Sequence, residues 1–524
     1  MEAEMIDLKE TVLGLELGST RIKAVLLNRE HTPVAEGFFD WENSLVNGVW
    51  TYPMEEVHTG IRACIAALMA DVKNKFGVEM TTVGAIGISA MMHGYLPFDE
   101  AGNQLAEFRT WRNTMTGEAA EKLTALFNFN IPQRWSIAHL YQAILNGEDS
   151  PKKLAHLTTL AGYIHWKLSG QWVMGVGEAS GMFPIDSTTL DYDEEMLRKF
   201  DAVSGLSRKL RDVLPTVLSA GVSGGTLTSE GAAFLDPTGT LQPGIPLAPC
   251  EGDAGTGMVA TNSVRPRTGN VSAGTSDFAM VVTEHPLGVH REIDMVTTPA
   301  GAAVAMVHCN NCTSDLNAWV NLFGEFAEAA GLKLSKNELF TLLISKALEG
   351  EKDAGGLLSY NYYSGEGVTD LDEGRPVFLR QSDANMSLAN FMLTHMYSAL
   401  ATLKLGMDIL IHEEKVTIDG IYGHGGFFKT PVVGQKLLSA AIAAPVSCME
   451  TAGEGGPYGM ALLCAYLLWK DEGESLEDYL SNKVFASAAS TTVMAEEGDI
   501  AGFNAFLERW KKAFPVEKTA VETL

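Results

Sequence analysis

Apolar and polar positions alternate from the start of the chain. Residues 13–28, LGLELGSTRIKAVLLN, place Leu13, Leu15 and Leu17 on one face, turn at Gly18-Ser19-Thr20, and alternate again from Ile22. A period of two on either side of small residues predicts a strand–turn–strand hairpin. A third strand is expected at 34–39, after Pro33. The spacing then changes: Ile61, Cys64, Ile65, Leu68, Met69, Val72 and Phe76 give residues 57–76 one apolar helical face. A strand at 83–89 follows, so three strands, a crossover helix and a further strand predict an α/β layer with a mixed sheet.

The same order recurs later. Strands at 270–273 and 278–283 flank a turn at Ala273-Gly274-Thr275-Ser276, a third strand is expected at 303–308, helices at 315–330 and 388–411, and a strand at 415–422. The halves share little residue identity but share this order of elements, which is the mark of an internal repeat. A helix at 431–442 and a short strand near Val446 come next, and Gly453 to Gly459 opens an apolar helix ending near Trp469. Residues 499–514, with Ile500, Phe503, Phe506 and Trp510, read as a helix packed on the body.

Between the halves lies the stretch 245–282, around which the chain is organised. Asp253 stands alone among Gly252, Ala254, Gly255 and Gly257, where small residues allow close approach to the backbone. It is a candidate catalytic base. The turn at Gly274 offers backbone N–H groups to an anion. Other polar candidates cluster at 90–114, where His93, Arg109, Trp111, Arg112 and Asn113 supply donors, acceptors and one flat apolar face suited to a polyol. Further glycine runs stand at Gly423-His424-Gly425-Gly426 and at Gly455-Gly456, where a flat ring or phosphate can approach the backbone. A tight turn explains each glycine run taken alone; their joint order is the signal. The aromatic stripes of 133–145 and 154–168 read as core, and 175–184 as a loop.

Composition narrows the function. With 524 residues the chain exceeds one ordinary core, so two large domains are expected. The formal net charge of −27 argues against nucleic acid or an anionic membrane as partner, so any anionic ligand must be held locally. The N-terminus lacks the basic region and apolar core of a signal peptide, and the apolar run 458–469 is shorter than the ~20 residues needed to span a bilayer. A cytoplasmic protein is expected. The six cysteines are scattered in apolar or small-residue contexts, as buried reduced thiols are. His308-Cys309-Asn310-Asn311-Cys312 invites a metal or redox reading, but one Cys-x-x-Cys without a second pair is weak, and a buried turn is expected there. Oligomeric state is not legible; a homodimer is the commonest arrangement.

Taken in order, these motifs resemble the FGGY carbohydrate kinases, and most of all their xylulokinase branch, from Leu13 to about Trp469. Residues 13–24 match the family's first phosphate hairpin. Met92-His93-Gly94 matches the Met-His-Gly of the sugar pocket, and Trp111-Arg112-Asn113 falls where that branch has a Trp-Asn-Asp-like run. Gly252-Asp253 matches the Gly-Asp that carries the catalytic aspartate. Residues 272–276 resemble the second phosphate loop, Gly425-Gly426 the next nucleotide glycines, residues 455–461 the adenosine segment, and Ser364-Gly365-Glu366 a Ser-Gly-Glu-Arg element. Departures are Glu16 where the family usually has aspartate, Gly367 in place of the arginine, and Phe427 in place of a third glycine.

The resemblance implies two actin-like (ribonuclease H-like) domains with mixed sheets facing across a cleft: 1–262 for sugar and catalytic base, 263–484 for nucleotide, and a helical extension at 485–524. It implies Asp253 as base, with Met92, His93, Gly94, Trp111, Arg112 and Asn113 on the sugar. ATP would be held by Gly18, Ser19, Thr20, Lys23, Gly274, Thr275, Ser276, Gly425, Gly426, Gly455 and Gly456, and magnesium by Glu16 and Asp253 through water. The expected reaction is transfer of the γ-phosphoryl group of ATP to a ketose hydroxyl, with D-xylulose ahead of L-ribulose or another ketose or polyol. The alternative is an actin-like sugar- or nucleotide-binding ATPase that does not phosphorylate sugar.

Overall fold

The structure is a computed structural model that describes residues 6–449 and 455–524. By contact its residues group into two units, one of 6–264, 294–304 and 455–487, the other of 265–293, 305–449 and 488–524.

In the first unit, strands β1 (Val12–Leu17), β2 (Arg21–Leu27) and β3 (Pro33–Asp40) form an antiparallel meander. Helix α1 (Met54–Phe76) crosses to β4 (Ala85–Ala90), which pairs parallel to β1, and β5 (Glu251–Gly252) adds to β4 in parallel. The strand order is β5-β4-β1-β2-β3. All six residues of β4 are buried, as a parallel strand covered on both faces requires. α1 starts at Met54, earlier than the apolar pattern predicts, because Pro53 sits in the cap position where its missing N–H costs nothing; it stops at Gly77, which takes the left-handed φ of 71°. Helix α2 (Asp253–Ala260) leaves directly from β5.

The second unit repeats the plan. β6 (Thr268–Ala273) and β7 (Asp277–Val282) form the second hairpin, β8 (Ala303–Cys309) lies beside β7, and the long helix α3 (Leu388–Asp408) precedes β9 (Gly420–His424), which is parallel to β6. β10 (Val446–Met449) joins β9 in parallel, and β11 (Ser490–Val493) closes the edge antiparallel to β10. The order β8-β7-β6-β9-β10 is the same third-second-first-fourth-fifth order as in the first unit. β9 begins later than the expected 415, because α3 runs on as a π turn to Glu413 and Lys415 then takes a φ of 59°. Residues 485–524, read as helical, also carry β11.

The helix Gly455–Trp469 follows β6 to β10 of the second unit in the chain but packs on β1, β4 and α2 of the first. A Cβ on Gly14 of β1 would overlap the Pro457 carbonyl oxygen, and one on Gly459 would overlap that of Thr256. Glycine at these crossings therefore sets how closely the helix approaches sheet and neighbour. Among the described residues no helix is long and apolar enough to cross a membrane.

Candidate active site

Asp253 is the first residue of α2, and Gly252, in extended conformation, is its cap. A Cβ on Gly252 would press on the Met92 side chain and the Glu178 carboxyl, so glycine is what lets these groups converge. The Met92 N–H donates to Asp253 Oδ1 at 3.0 Å. Burial raises the Asp253 carboxyl to about 6, against the N–H bonds from Met92 and Ala254, which favour its charge. At neutral pH it is therefore mostly ionised, yet basic enough to accept a proton.

Glu16, from the end of β1, belongs to the same neighbourhood. Burial first and the Asp253 charge second push it up to about 8, while Lys23, its cross-strand partner, opposes the shift. Lys23 also pairs with Glu36 at 3.2 Å. A buried carboxylate whose proton affinity is raised by a second carboxylate nearby is relieved by a divalent cation, so Glu16 and Asp253 fit magnesium in chemistry.

Beyond β4 the backbone turns through His93, φ 72°, and Gly94, φ 105°. His93 is buried; its Nδ1–H donates to the Gly181 carbonyl at 3.1 Å and its ring stacks on Trp135 at 6.2 Å. Trp111 is half-buried. Arg112 is exposed, lies 3.9 Å over the Trp50 ring and donates to Asn43 Oδ1 at 3.2 Å. Asn113 accepts from the Trp50 N–H at 2.9 Å and donates to the Trp50 carbonyl at 2.8 Å, so its amide ties the hairpin carrying Trp50 to this segment. Arg109 is paired with Glu148 at 2.6 Å and lies over Tyr95.

Two acids beside Asp253 escape the sequence reading. Glu178 and Glu251 are fully buried, and Glu251 accepts the N–H groups of Gly177 and Glu178 at 3.3 and 2.8 Å. Burial raises Glu251 to about 8 and Glu178 well above the usual carboxylate range, the latter helped by the charges of Glu251 and Asp253. The glycines at 175 and 177, against which the Glu251 carboxyl lies, were the available signal, hidden inside a stretch that reads as a loop.

Both glycine hairpins are formed. The Gly18 N–H donates to Arg21 O at 3.0 Å, and the Gly274 N–H to Ser276 O at 2.9 Å, closing each turn and leaving Ser19, Thr20 and Thr275 exposed. Gly425 takes a φ of 96° where a Cβ would overlap the Ala273 carbonyl, and Gly426 starts a short 3-10 turn through Phe428. Gly455, φ 73°, and Gly456 open the late helix in the first unit, with Gly456 against the Glu16 carboxylate. Gly453 of that run lies outside the described residues. Glu366 is buried and accepts the N–H groups of Asn310 and Asn311 at 2.9 and 3.3 Å.

Comparison with known proteins bears on this arrangement. Residues 11–260 match the N-terminal domain, and residues 269–468 the C-terminal domain, of the FGGY family of carbohydrate kinases. The xylulose kinase of Haemophilus influenzae is 22% identical over 496 residues, covering 90% of this chain and 96% of its own. A xylulose kinase structure from Lactobacillus acidophilus superposes with a TM-score of 0.78 at 14% identity, covering 97% of this chain and 98% of that one. A gluconate kinase structure from Lactobacillus acidophilus gives the same TM-score, identity and coverage, 0.78, 14%, 97% and 98%. Likeness at this level shows the fold, and two different sugars named at one level of similarity leave the substrate open. With both domain models matched in order along the chain, the protein belongs to the FGGY family of carbohydrate kinases.

Proposed function

We propose that this carbohydrate kinase transfers the γ-phosphoryl group of ATP to a hydroxyl of a ketose, with D-xylulose first among the candidates. The observation that carries the reading is Asp253: a carboxylate at a helix start, fixed by the Met92 N–H and poised near 6 beside the Met92-His93-Gly94 turn. In the proposed step Asp253 accepts the proton of the sugar hydroxyl as that oxygen bonds to the γ-phosphorus, and the bond from phosphorus to the ADP oxygen breaks. Met92 holds Asp253 through its N–H, and His93, Trp111 and Arg112 contact the sugar, with Asn113 fixing Trp50 behind them. Ser19, Thr20, Thr275 and Ser276 offer N–H groups to phosphate oxygens, Gly18 and Gly274 close the turns that present them, and Lys23 adds a cation near the first hairpin. Gly425, Gly426, Gly455 and Gly456 leave room for the nucleotide along the backbone. Glu16 and Asp253 would hold magnesium, which when bound offsets charge on the phosphate oxygens.

A second reading rests on the gluconate kinase likeness, a sugar acid in place of a ketose. The test is ADP release with ATP and magnesium over a panel of D-xylulose, L-ribulose, other ketoses, glycerol and gluconate. Release that depends on a ketose is expected. Dependence on gluconate alone would replace the ketose reading, and hydrolysis indifferent to every sugar would point to an ATPase that does not phosphorylate sugar.

A further inference from the structure

At the tip of each glycine hairpin the carbonyl oxygens are tied to residues outside the hairpin. In the first unit the Trp41 indole N–H donates to Gly18 O at 2.7 Å, the Tyr52 hydroxyl to Ser19 O at 2.6 Å, and the Trp41 backbone N–H to Thr20 O at 3.2 Å. In the second unit the backbone N–H and hydroxyl of Thr313 donate to Gly274 O at 3.0 and 2.6 Å, and the Cys312 N–H donates to Thr275 O at 2.9 Å.

A planar trans peptide points its C=O and the following N–H in opposite directions, and none of the described peptide bonds is cis. Tying Gly18 O and Ser19 O therefore turns the N–H groups of Ser19 and Thr20 away from Trp41 and Tyr52. Tying Gly274 O and Thr275 O does the same for Thr275 and Ser276. None of these four N–H groups donates to another group among the described residues. Two hairpins of unlike sequence thus present the same pair of outward dipoles, each fixed from behind.

The groups behind them are held firmly. Trp41 and Tyr52 are buried, with ring centroids 4.3 Å apart. Cys312 and Thr313 follow a turn in which Asn311 Oδ1 accepts the N–H groups of Tyr363 and Ser364 at 2.9 and 3.1 Å, and Asn361 Nδ2 donates to the Asn311 and Cys312 carbonyls at 3.2 and 2.9 Å. Asn311 Nδ2 donates to Glu366 Oε2 at 3.1 Å. The segment 308–313, which invites a metal reading, is thereby the link between the Ser364-Gly365-Glu366 element and the second hairpin.

We propose that Trp41 and Tyr52 in the first unit, and Thr313 in the second, are positioning residues that fix the hairpin N–H groups toward phosphate oxygens. The proposal rests on the kinase reading and adds to it the residues that pre-set the anion cradles, so that their dipoles need no reorganisation when phosphate arrives.

The test compares binding of magnesium ATP, magnesium ADP and adenosine by calorimetry in the wild-type chain and in Tyr52→Phe, Thr313→Val and Thr313→Ser. Each of the first two removes one hydroxyl and keeps the shape. ATP and ADP binding is expected to weaken about three- to tenfold in Tyr52→Phe and Thr313→Val. Adenosine affinity and the KM for sugar should stay unchanged, and Thr313→Ser should recover phosphate binding. Equal loss for adenosine and ATP, or wild-type ATP affinity in both variants, would overturn the proposal. A wild-type chain that binds ATP but phosphorylates no sugar would sink the kinase reading alone, leaving the binding comparison decisive for the hairpins; a wild-type chain that binds no ATP would sink both.

Discussion

Asp253 and Glu366 show two outcomes of burying a carboxylate. Asp253 is half-buried and kept mostly ionised by backbone N–H groups, which is the condition for a base. Replacing it by asparagine keeps shape and removes the proton acceptor. Asp253→Asn is expected to lower the rate of sugar phosphorylation by about 10²- to 10⁴-fold while nucleotide affinity by calorimetry stays near wild type. Glu366 is pushed up by burial to about 7, despite its bonds from Asn310 and Asn311. Its folded value exceeds the unfolded one near 4.5, so the folded state binds more protons between them and loses stability as pH rises through that window. Glu366→Gln, which mimics the protonated form, should therefore raise the melting temperature more at pH 8 than at pH 5. An equal gain at both would mean that the acid does not hold its proton in the folded chain. Asp253 was legible as a candidate because a lone acid among glycines is an unusual pattern. Glu178, Glu251, Trp41 and Tyr52 were not, since their roles depend on partners distant in the chain and leave no local period.

At the scale of elements, close packing at glycines is the firmest restraint on the late helix. Gly459→Ala would raise local helix propensity yet drive a methyl into the Thr256 carbonyl. Overpacking of this kind should cost about 1–3 kcal/mol, read as a lower denaturant midpoint at unchanged slope. A stability gain would mean that the helix has room to retreat. Both hairpins, α1 and β4 were readable from their periods to within a few residues. The placement of the helix Gly455–Trp469 was not, because it is apolar all round and no face of it names a partner. The strand Ser490–Val493 was hidden for the opposite reason: a short, mostly exposed edge shows no buried alternation.

Across the whole molecule, the repeat was visible as an order of elements and returns as one strand order used twice. Charge acts at the same scale. With −27 formal charges the chain repels an anionic nucleotide at a distance, and salt screens that repulsion within about 10 Å at 0.1 M. The kcat/KM for ATP is expected to rise modestly as ionic strength is brought from low to physiological, at fixed free magnesium. A steep fall would instead reveal a basic path that steers the nucleotide in.

The helix Gly455–Trp469 also has a consequence for synthesis. Domains generally fold as units, the N-terminal one first as the chain emerges. Here the cover of β1 and β4 is encoded after most of the second unit, so the first sheet leaves the ribosome with an apolar face bare. The first unit to begin cannot finish until most of the second has been made. A gene cut after residue 264 should yield insoluble protein, and co-expressing a segment that spans 455–487 is the addition that should return it to solution.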